Sequence, residues 1–167
     1  MLNKRIIRLL IINLETMSRK SLFLFTLAMI ISVTISAATK MWKGGTGTGL
    51  NWTTGSNWVG GVAPVAGDDI IFNSPGVIIF STIPNNISYN SITIRQGTVT
   101  LARNKATTLT LGGNAGTDFT VANGASLIIG TNVNITLANN ATADISGKLI
   151  INTGRTYNTN GTSVVTT

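Results

Sequence analysis

Residues 119–154, FTVANGASLIIGTNVNITLANNATADISGKLIINTG, contain the same small unit twice. In each copy, two apolar residues that flank a third are followed by a glycine and then by a second apolar pair of the same kind. An earlier copy, ITIRQGTVTLARN, begins at Ile92. The copies align on Gly97, Gly124 and Gly147, so the unit recurs after 27 and then 23 residues.

A third short strand lies between successive copies. Residues 109–111, LTL, and 135–137, ITL, each place a threonine between two apolar side chains. Alternate residues of a strand point to opposite faces, so each strand sends its apolar pair inward and the residue between them outward. Three such strands per repeat predict one coil of a short, three-sided parallel β-helix, and hence an all-β fold.

An antiparallel β-sandwich is the alternative fold, because it also consists of closely spaced short strands. It does not explain why every third strand resembles the first. In the β-helix, Gly97, Gly124 and Gly147 are predicted to form sharp corners, with a positive φ or a bulge. Left-handed turn conformations are predicted for five asparagines, namely Asn104, Asn114, Asn132, Asn139 and Asn140.

The composition excludes several kinds of function. The 167 residues include no cysteine and no histidine, which removes disulfides, thiolate metal sites and the commonest general base. The net charge is +7, but residues 1–38 hold five of the twelve cations and one of the five acids. The remaining +3 is spread over residues 39–167, unlike the concentrated basic stripe of nucleic-acid-binding proteins. Neither a nucleic-acid partner nor a cofactor is predicted.

Residues 1–38 have the pattern of a secretory signal peptide. Arg19 and Lys20 precede the uncharged run SLFLFTLAMIISVTIS, and Ala37-Ala38 follow as a small-residue cleavage site. An uncleaved membrane anchor is the alternative, although the run is shorter than the roughly 20 residues of a spanning helix. The first sixteen residues are long for such a leader, so Met17 is the predicted true start. We therefore expect a secreted or cell-surface protein whose membrane contact is limited to the leader before cleavage.

Residues 39–88 are rich in tryptophan and glycine. Trp42, Trp52 and Trp58 lie among glycines that disfavour helix, and we expect them to seal one end of an elongated core. Exposed rings that stack on sugars are the alternative. Strands are predicted at residues 70–72 and 77–80, with a turn at residues 73–76, NSPG, between them.

The series W-x-GG, NW, NWVGG, P and GDDIIF in residues 42–72 resembles the segment that opens many secreted bacterial β-helix and adhesin-like proteins. It is especially similar to those of Bacteroidetes and to autotransporter passenger domains. The resemblance covers residues 41–151 and implies β-helix rungs, here residues 89–167, directly after the opening segment. Such proteins usually continue for hundreds of residues, so we expect these rungs to be incomplete, and to continue in further sequence or to pair at their edge with another chain.

Two groups of residues are candidates for ligand binding. Asp68 and Asp69 offer carboxylates to Ca²⁺, although adjacent strand residues point to opposite faces, which favours a turn-and-strand role instead. Thr-x-Thr sequences suggest a flat outward face that could contact glycan or ice, and the threonines concerned are Thr98, Thr100, Thr108 and Thr110.

A polysaccharide-active β-helix enzyme is the remaining alternative. Its chemistry requires paired carboxylates, or carboxylates that hold Ca²⁺ beside a basic residue. Asp118 and Asp144 are the carboxylates expected on outward strand positions one coil apart, and the nearby cations are Arg95, Arg103 and Lys105. The predicted function is a non-enzymatic structural or adhesive surface module with extracellular glycan or cell-surface components as partners.

Overall fold

The computed structural model describes residues 37–113, 116–160 and 164–166, so most of the predicted leader, residues 1–38, lies outside the described residues. The described chain is all-β apart from one 3-10 turn, Gly55–Asn57, and none of its helical structure has the length and hydropathy to span a membrane. The strands are β1 (Thr39–Met41), β2 (Gly47–Asn51), β3 (Asp69–Thr82), β4 (Ile87–Tyr89), β5 (Ser91–Leu101), β6 (Thr107–Leu111), β7 (Phe119–Val121), β8 (Ser126–Ile129), β9 (Val133–Leu137), β10 (Thr142–Ile145), β11 (Lys148–Ile151), β12 (Tyr157–Thr159) and β13 (Val164–Thr166).

The strands stack in three faces. Face A contains β1, β7, β10, β13 and the first halves of β3 and β5. Face B contains β2, β8, β11 and the second halves of β3 and β5. Face C contains β4, β6, β9 and β12. Every ladder between described strands is parallel, which confirms the three-sided β-helix. The sandwich alternative is wrong, because its strands would pair antiparallel.

The core is formed by the inward residues of all three faces. On face A, Ile92, Phe119 and Ala143 occupy the same position of consecutive rungs, and on face C Leu109 stacks on Ile135. All five are at most 3% exposed. Burial of an Ile, Leu or Phe side chain contributes roughly 1.5–3 kcal/mol, so the repeated apolar pairs are the main source of stability.

Parallel stacking begins before residue 89. β3 pairs with both halves of β5, and β1 and β2 pair with β3, so part of the Trp/Gly-rich segment already forms coil. Residues 73–76, for which a turn is predicted, lie within β3 as an irregularity where the ladder to β5 shifts register. Pro75 has no N–H to donate, which explains why the regular ladder is interrupted there.

The corners agree with the sequence only in part. Gly97 and Gly124 have positive φ angles of 78° and 79°, as predicted, whereas Gly147 does not. At Gly147 a β-carbon would overlap the carbonyl oxygen of Ala122 and lie 2.6 Å from that of Ala125. Glycine is therefore needed at position 147 because the adjacent rung leaves no space for a side chain, and not because of a positive φ.

Asparagines occupy left-handed positions at some corners. The prediction is confirmed for Asn132 and Asn140, with φ angles of 61° and 62°, and is wrong for Asn104 and Asn139. Asn114 lies outside the described residues. A third left-handed asparagine, Asn86, was not predicted. The amide of Asn86 accepts a hydrogen bond from Thr108 N in the next rung (3.0 Å), which supports this conformation.

The three tryptophans are buried at the start of the stack. Trp52 packs on Phe72, Phe80 and Tyr89, with ring centroids 5.5, 5.1 and 5.7 Å away. These three rings point inward from faces A, B and C of one coil. Trp58 packs edge-on against Trp52, and its indole donates to the Trp52 carbonyl at 2.7 Å. The tryptophan cluster therefore covers the core where the first coil would otherwise expose it.

We expect the protein to lose stability above about pH 10, where tyrosine ionises in the unfolded chain. Burial raises the pKa of Tyr89, whose hydroxyl accepts the Trp52 indole hydrogen bond at 3.0 Å. Burial likewise raises the pKa of Tyr157 to about 12. Because the unfolded state loses these protons first, the free energy of unfolding falls as pH rises.

The test of this pH dependence is denaturant unfolding between pH 8 and 11. Tyr89→Phe leaves the Trp52 indole unpaired and lowers stability at pH 8 by about 1–3 kcal/mol. Its further decline above pH 10 is expected to be shallower than in the natural protein. Equal declines in both proteins would contradict the assignment to Tyr89.

Candidate ligand-binding face

Face C presents two straight columns of uncharged polar side chains, which we call the polar face. The register of β4, β6, β9 and β12 aligns the outward residues Ser88, Thr110, Thr136 and Asn158 in one column, the second, on four rungs. In the other column, the first, β6 and β9 pair Thr108 with Asn134. The corner residues Asn86 and Thr156, which directly precede β4 and β12, extend this column, because Thr108 N donates to Asn86 and Thr156 N donates to Asn134. No member of the polar face is charged.

The polar face is regular because the strands beneath it are regular. β6 and β9 pair over five residues without a register shift, and their inward residues, such as Leu109 and Ile135, are fully buried. Rungs of a parallel sheet are about 4.8 Å apart, and outward residues along one strand are about 6.6 Å apart. The eight side chains therefore cover an area of about 14 by 7 Å.

Hydrogen bonds hold the amides of the polar face and leave hydroxyls available. Asn134 accepts from Thr156 N at 3.0 Å, as Asn86 does from Thr108 N, so both amides bridge adjacent rungs. Within the described part of the chain, no hydrogen bond uses the hydroxyls of Thr108, Thr110 or Thr136. Each hydroxyl can donate one hydrogen bond and accept two. The face thus offers a ligand fixed rows of mixed donors and acceptors.

The four threonines singled out in the sequence lie on two different faces. Thr108 and Thr110 belong to the polar face, whereas Thr98 and Thr100 point outward from face B. On face B, Thr100 stacks on Ile128, which stacks on Ile150, so that column is mainly apolar. The expected single Thr-rich face is therefore restricted to face C.

Sequence reasoning missed most of the polar face. Asn134 and Thr136 are the outward residues of the third strand of the repeat, and Ser88 and Asn158 are their counterparts in the outer rungs. The outward position of a strand that recurs every 22–26 residues was the signal that could have identified them. This signal does not single out one face, because threonine also occupies outward positions on the other two faces.

The carboxylates of the enzyme alternative are not arranged as expected. Asp144 points outward on face A beside Thr120. Asp118 is only 4% exposed, so the expected outward position is wrong: its Oδ2 accepts from Thr142 N at 2.7 Å, which holds the carboxylate in a corner. Asp118 borders a polar cavity of about 190 Å³, whose other lining residues are Gly113, Asn139, Asn140 and Ala141.

Asp68 and Asp69 both interact with neighbouring chain. The buried Asp68 carboxylate accepts from Val65 N at 2.9 Å and from Ala38 N at 3.2 Å. Asp69 Oδ1 accepts from the Ser91 hydroxyl at 2.7 Å. Among the residues that the structure describes, no group of three or more Asp, Glu, His or Cys side chains could hold a metal ion.

The tryptophans do not offer a sugar-stacking surface. Trp52 and Trp58 are 0% exposed and Trp42 is 4% exposed, because they pack on one another and on the inward rings of the first coil. The tryptophan cluster is therefore part of the core and not an exposed platform. No protein-family model, curated protein or solved structure matches this chain.

Proposed function

We propose that this chain is a secreted, non-enzymatic module of the bacterial cell surface, in which a β-helix rod binds extracellular glycan for adhesion. The observation that carries the proposal is the polar face, with its two columns of hydroxyl and amide side chains on four rungs. A sugar polymer presents closely spaced hydroxyls that both donate and accept. Rows of threonine hydroxyls complement such a polymer, and a solenoid provides an extended surface for it.

The setting of the proposed function is supported by the sequence. The pattern of residues 1–38 favours export, and residues 41–151 resemble the opening part of secreted bacterial adhesin-like and autotransporter passenger proteins, notably those of Bacteroidetes. A non-enzymatic role is supported by Asp118, whose carboxylate accepts a hydrogen bond from Thr142 N. Asp144 pairs with Thr120, two residues after Asp118, so the two carboxylates do not occupy the same position of adjacent rungs.

The proposal is tested by measuring the binding of the purified chain to a panel of immobilised polysaccharides. We expect binding to at least one polymer, and a loss of 10-fold or more in the triple variant Thr108→Val, Thr110→Val, Thr136→Val. A hydrogen bond contributes about 0.5–1.5 kcal/mol, and about 1.4 kcal/mol corresponds to a factor of ten in the dissociation constant.

The matched control is Thr93→Val, Thr98→Val, Thr100→Val, which removes three outward, half-buried hydroxyls from faces A and B. Threonine and valine have nearly the same shape, and both favour strands, so we expect both triple variants to remain folded. The control should bind like the natural protein. Equal losses in the two variants, or no binding to any polymer, would contradict the proposal.

Ordered water is a second candidate ligand for the same face. The hydroxyls of Thr108, Thr110 and Thr136 form a flat, uncharged array with two fixed spacings, which could match a surface of ice. A thermal-hysteresis measurement separates the two functions. Hysteresis that disappears in the Thr108, Thr110, Thr136 triple variant, together with no glycan binding, would favour ice over glycan.

A further inference from the structure

One edge of the polar face carries a cluster of positive charge. The loops that lead from face B into face C contain Arg103 and Lys105 before β6, and Arg155 before β12. These three residues, which we call the basic edge, are three of the seven cations in residues 39–167. They adjoin the first column of the polar face at Thr108 and Thr156.

Hydrogen bonds position the basic edge. Arg103 Nη1 donates to the side-chain oxygen of Asn85 at 2.7 Å, which occupies one of the five guanidinium N–H donors. The Arg103 backbone is held from the next rung, since Asn132 Nδ2 donates to its carbonyl and its own N–H donates to Thr131 O. Arg103 is half-buried and has donors to spare, so it is partly ordered before any ligand binds.

Arg155 lies two rungs further along the same edge. Its N–H donates to Asn152 O at 2.9 Å, and the adjacent Thr156 N is held by Asn134. Two rungs correspond to about 10 Å along the axis. Arg103 and Arg155 thus lie in equivalent loops two rungs apart, and Lys105 is exposed two residues after Arg103.

No carboxylate neutralises the basic edge within the described chain. Asp69 and Asp144 are on face A, and Asp68 and Asp118 are in the corners that lead into face A. All four acids of residues 39–167 therefore lie away from the loops between faces B and C. The uneven distribution of charge gives the polar face a positive border on one side.

We propose that the ligand of the polar face is an acidic polysaccharide, which rests its sugar hydroxyls on the threonine columns and its carboxylate or sulfate groups on the basic edge. This inference rests on the glycan-binding function proposed above and specifies the class of glycan. Arginine suits the planar carboxylate and the sulfate group because its guanidinium donates two parallel hydrogen bonds. A nucleic acid fits less well, since the outward residues of face C include no aromatic ring on which bases could stack.

The test compares polygalacturonate with its fully methyl-esterified form, which has the same backbone without the negative charge. We expect the purified chain to bind the acid polymer at least 10-fold more tightly than the ester in low salt, and the difference to shrink as salt rises, because exposed charges are screened. The double variant Arg103→Gln, Arg155→Gln should reduce acid binding to the level of the ester.

The matched control is Arg95→Gln, Lys148→Gln, which removes the same charge from exposed positions on faces A and B. It should keep the preference for the acid polymer. The single variant Lys105→Gln changes an exposed side chain, and we expect it to lower acid binding without a change in thermal stability, so a folding defect at Arg103 would not obscure the result.

Each other outcome overturns a specific claim. If the ester binds as tightly as the acid, the acidic ligand is wrong while glycan binding stands. If the control double variant loses the preference for the acid polymer to the same extent, only net charge matters, and the assignment of the acidic groups to the basic edge is wrong. If duplex or single-stranded DNA binds more tightly than polygalacturonate, the polyanion is a nucleic acid. If neither polymer nor any other glycan binds, the proposed function fails as well.

Discussion

We expect Trp52→Ala to lower the free energy of unfolding by about 3–5 kcal/mol. Trp52 is fully buried and its ring lies within 5.7 Å of four others, those of Trp58, Phe72, Phe80 and Tyr89. Truncation would leave a cavity at the point where the inward rings of faces A, B and C meet. It would also remove the indole donor to the Tyr89 hydroxyl. Denaturant unfolding followed by circular dichroism measures the change.

Trp52→Phe is the graded control for this prediction. It keeps an aromatic ring in the cap but loses the hydrogen bond to Tyr89, so we expect a smaller loss of about 1–3 kcal/mol. A substitution of Val62 by alanine should change stability by no more than about 0.5 kcal/mol, since its side chain is more than half exposed. If Trp52→Ala cost as little as Val62→Ala, the tryptophan cluster would not be part of the cooperative core.

The β-helix could be predicted because its signal is local and repeated. The pairs around Gly97 and Gly147 show two apolar residues with one residue between them, and this spacing alone determines which side chains point inward. Recurrence of the unit then indicates that equivalent strands stack. The parallel pairing of Val99 with Leu127, and of Leu127 with Leu149, follows from matching the apolar pair after each glycine, with one additional residue after Gly124.

The polar face could not be assigned from the same pattern. Thr98 and Thr108 both begin a Thr-x-Thr sequence with an apolar middle residue, yet they point outward from different faces. The corners between strands determine which outward residues become neighbours, and the lengths of these corners vary from coil to coil. The same limitation explains Asp118. The alternation of inward and outward residues in β7 indicates an outward position for it, but the corner before β7 buries its side chain against Thr142.

The corner glycines show how one residue type can meet different steric demands. Gly97 has a positive φ, and a β-carbon there would also overlap the carbonyl oxygen of Ser74 and lie 2.5 Å from that of Gly76. Gly124 has nearly the same φ but open space around it, whereas Gly147 has the close contact without the positive φ. The three sites therefore separate backbone strain from overlap with the adjacent rung.

We expect Gly97→Ala to destabilise the protein by about 2–5 kcal/mol, the combined effect of left-handed strain of about 1–2 kcal/mol and overpacking of about 1–3 kcal/mol. Neither neighbour can move cheaply, because the oxygens of Ser74 and Gly76 belong to the backbone of the irregular part of β3. Urea unfolding of the purified variant measures the loss.

Gly124→Ala and Gly147→Ala are the matched controls for Gly97→Ala. The first should cost only the strain of about 1–2 kcal/mol, and the second only the overpacking of about 1–3 kcal/mol. If Gly97→Ala were no more harmful than Gly124→Ala, the contact with β3 would be loose enough to adjust. If the loss in free energy of unfolding for Gly97→Ala is close to the sum of the losses for the two controls, backbone strain and steric overlap act independently. The close approach of β5 to β3 is then as important to this corner as the φ angle of Gly97.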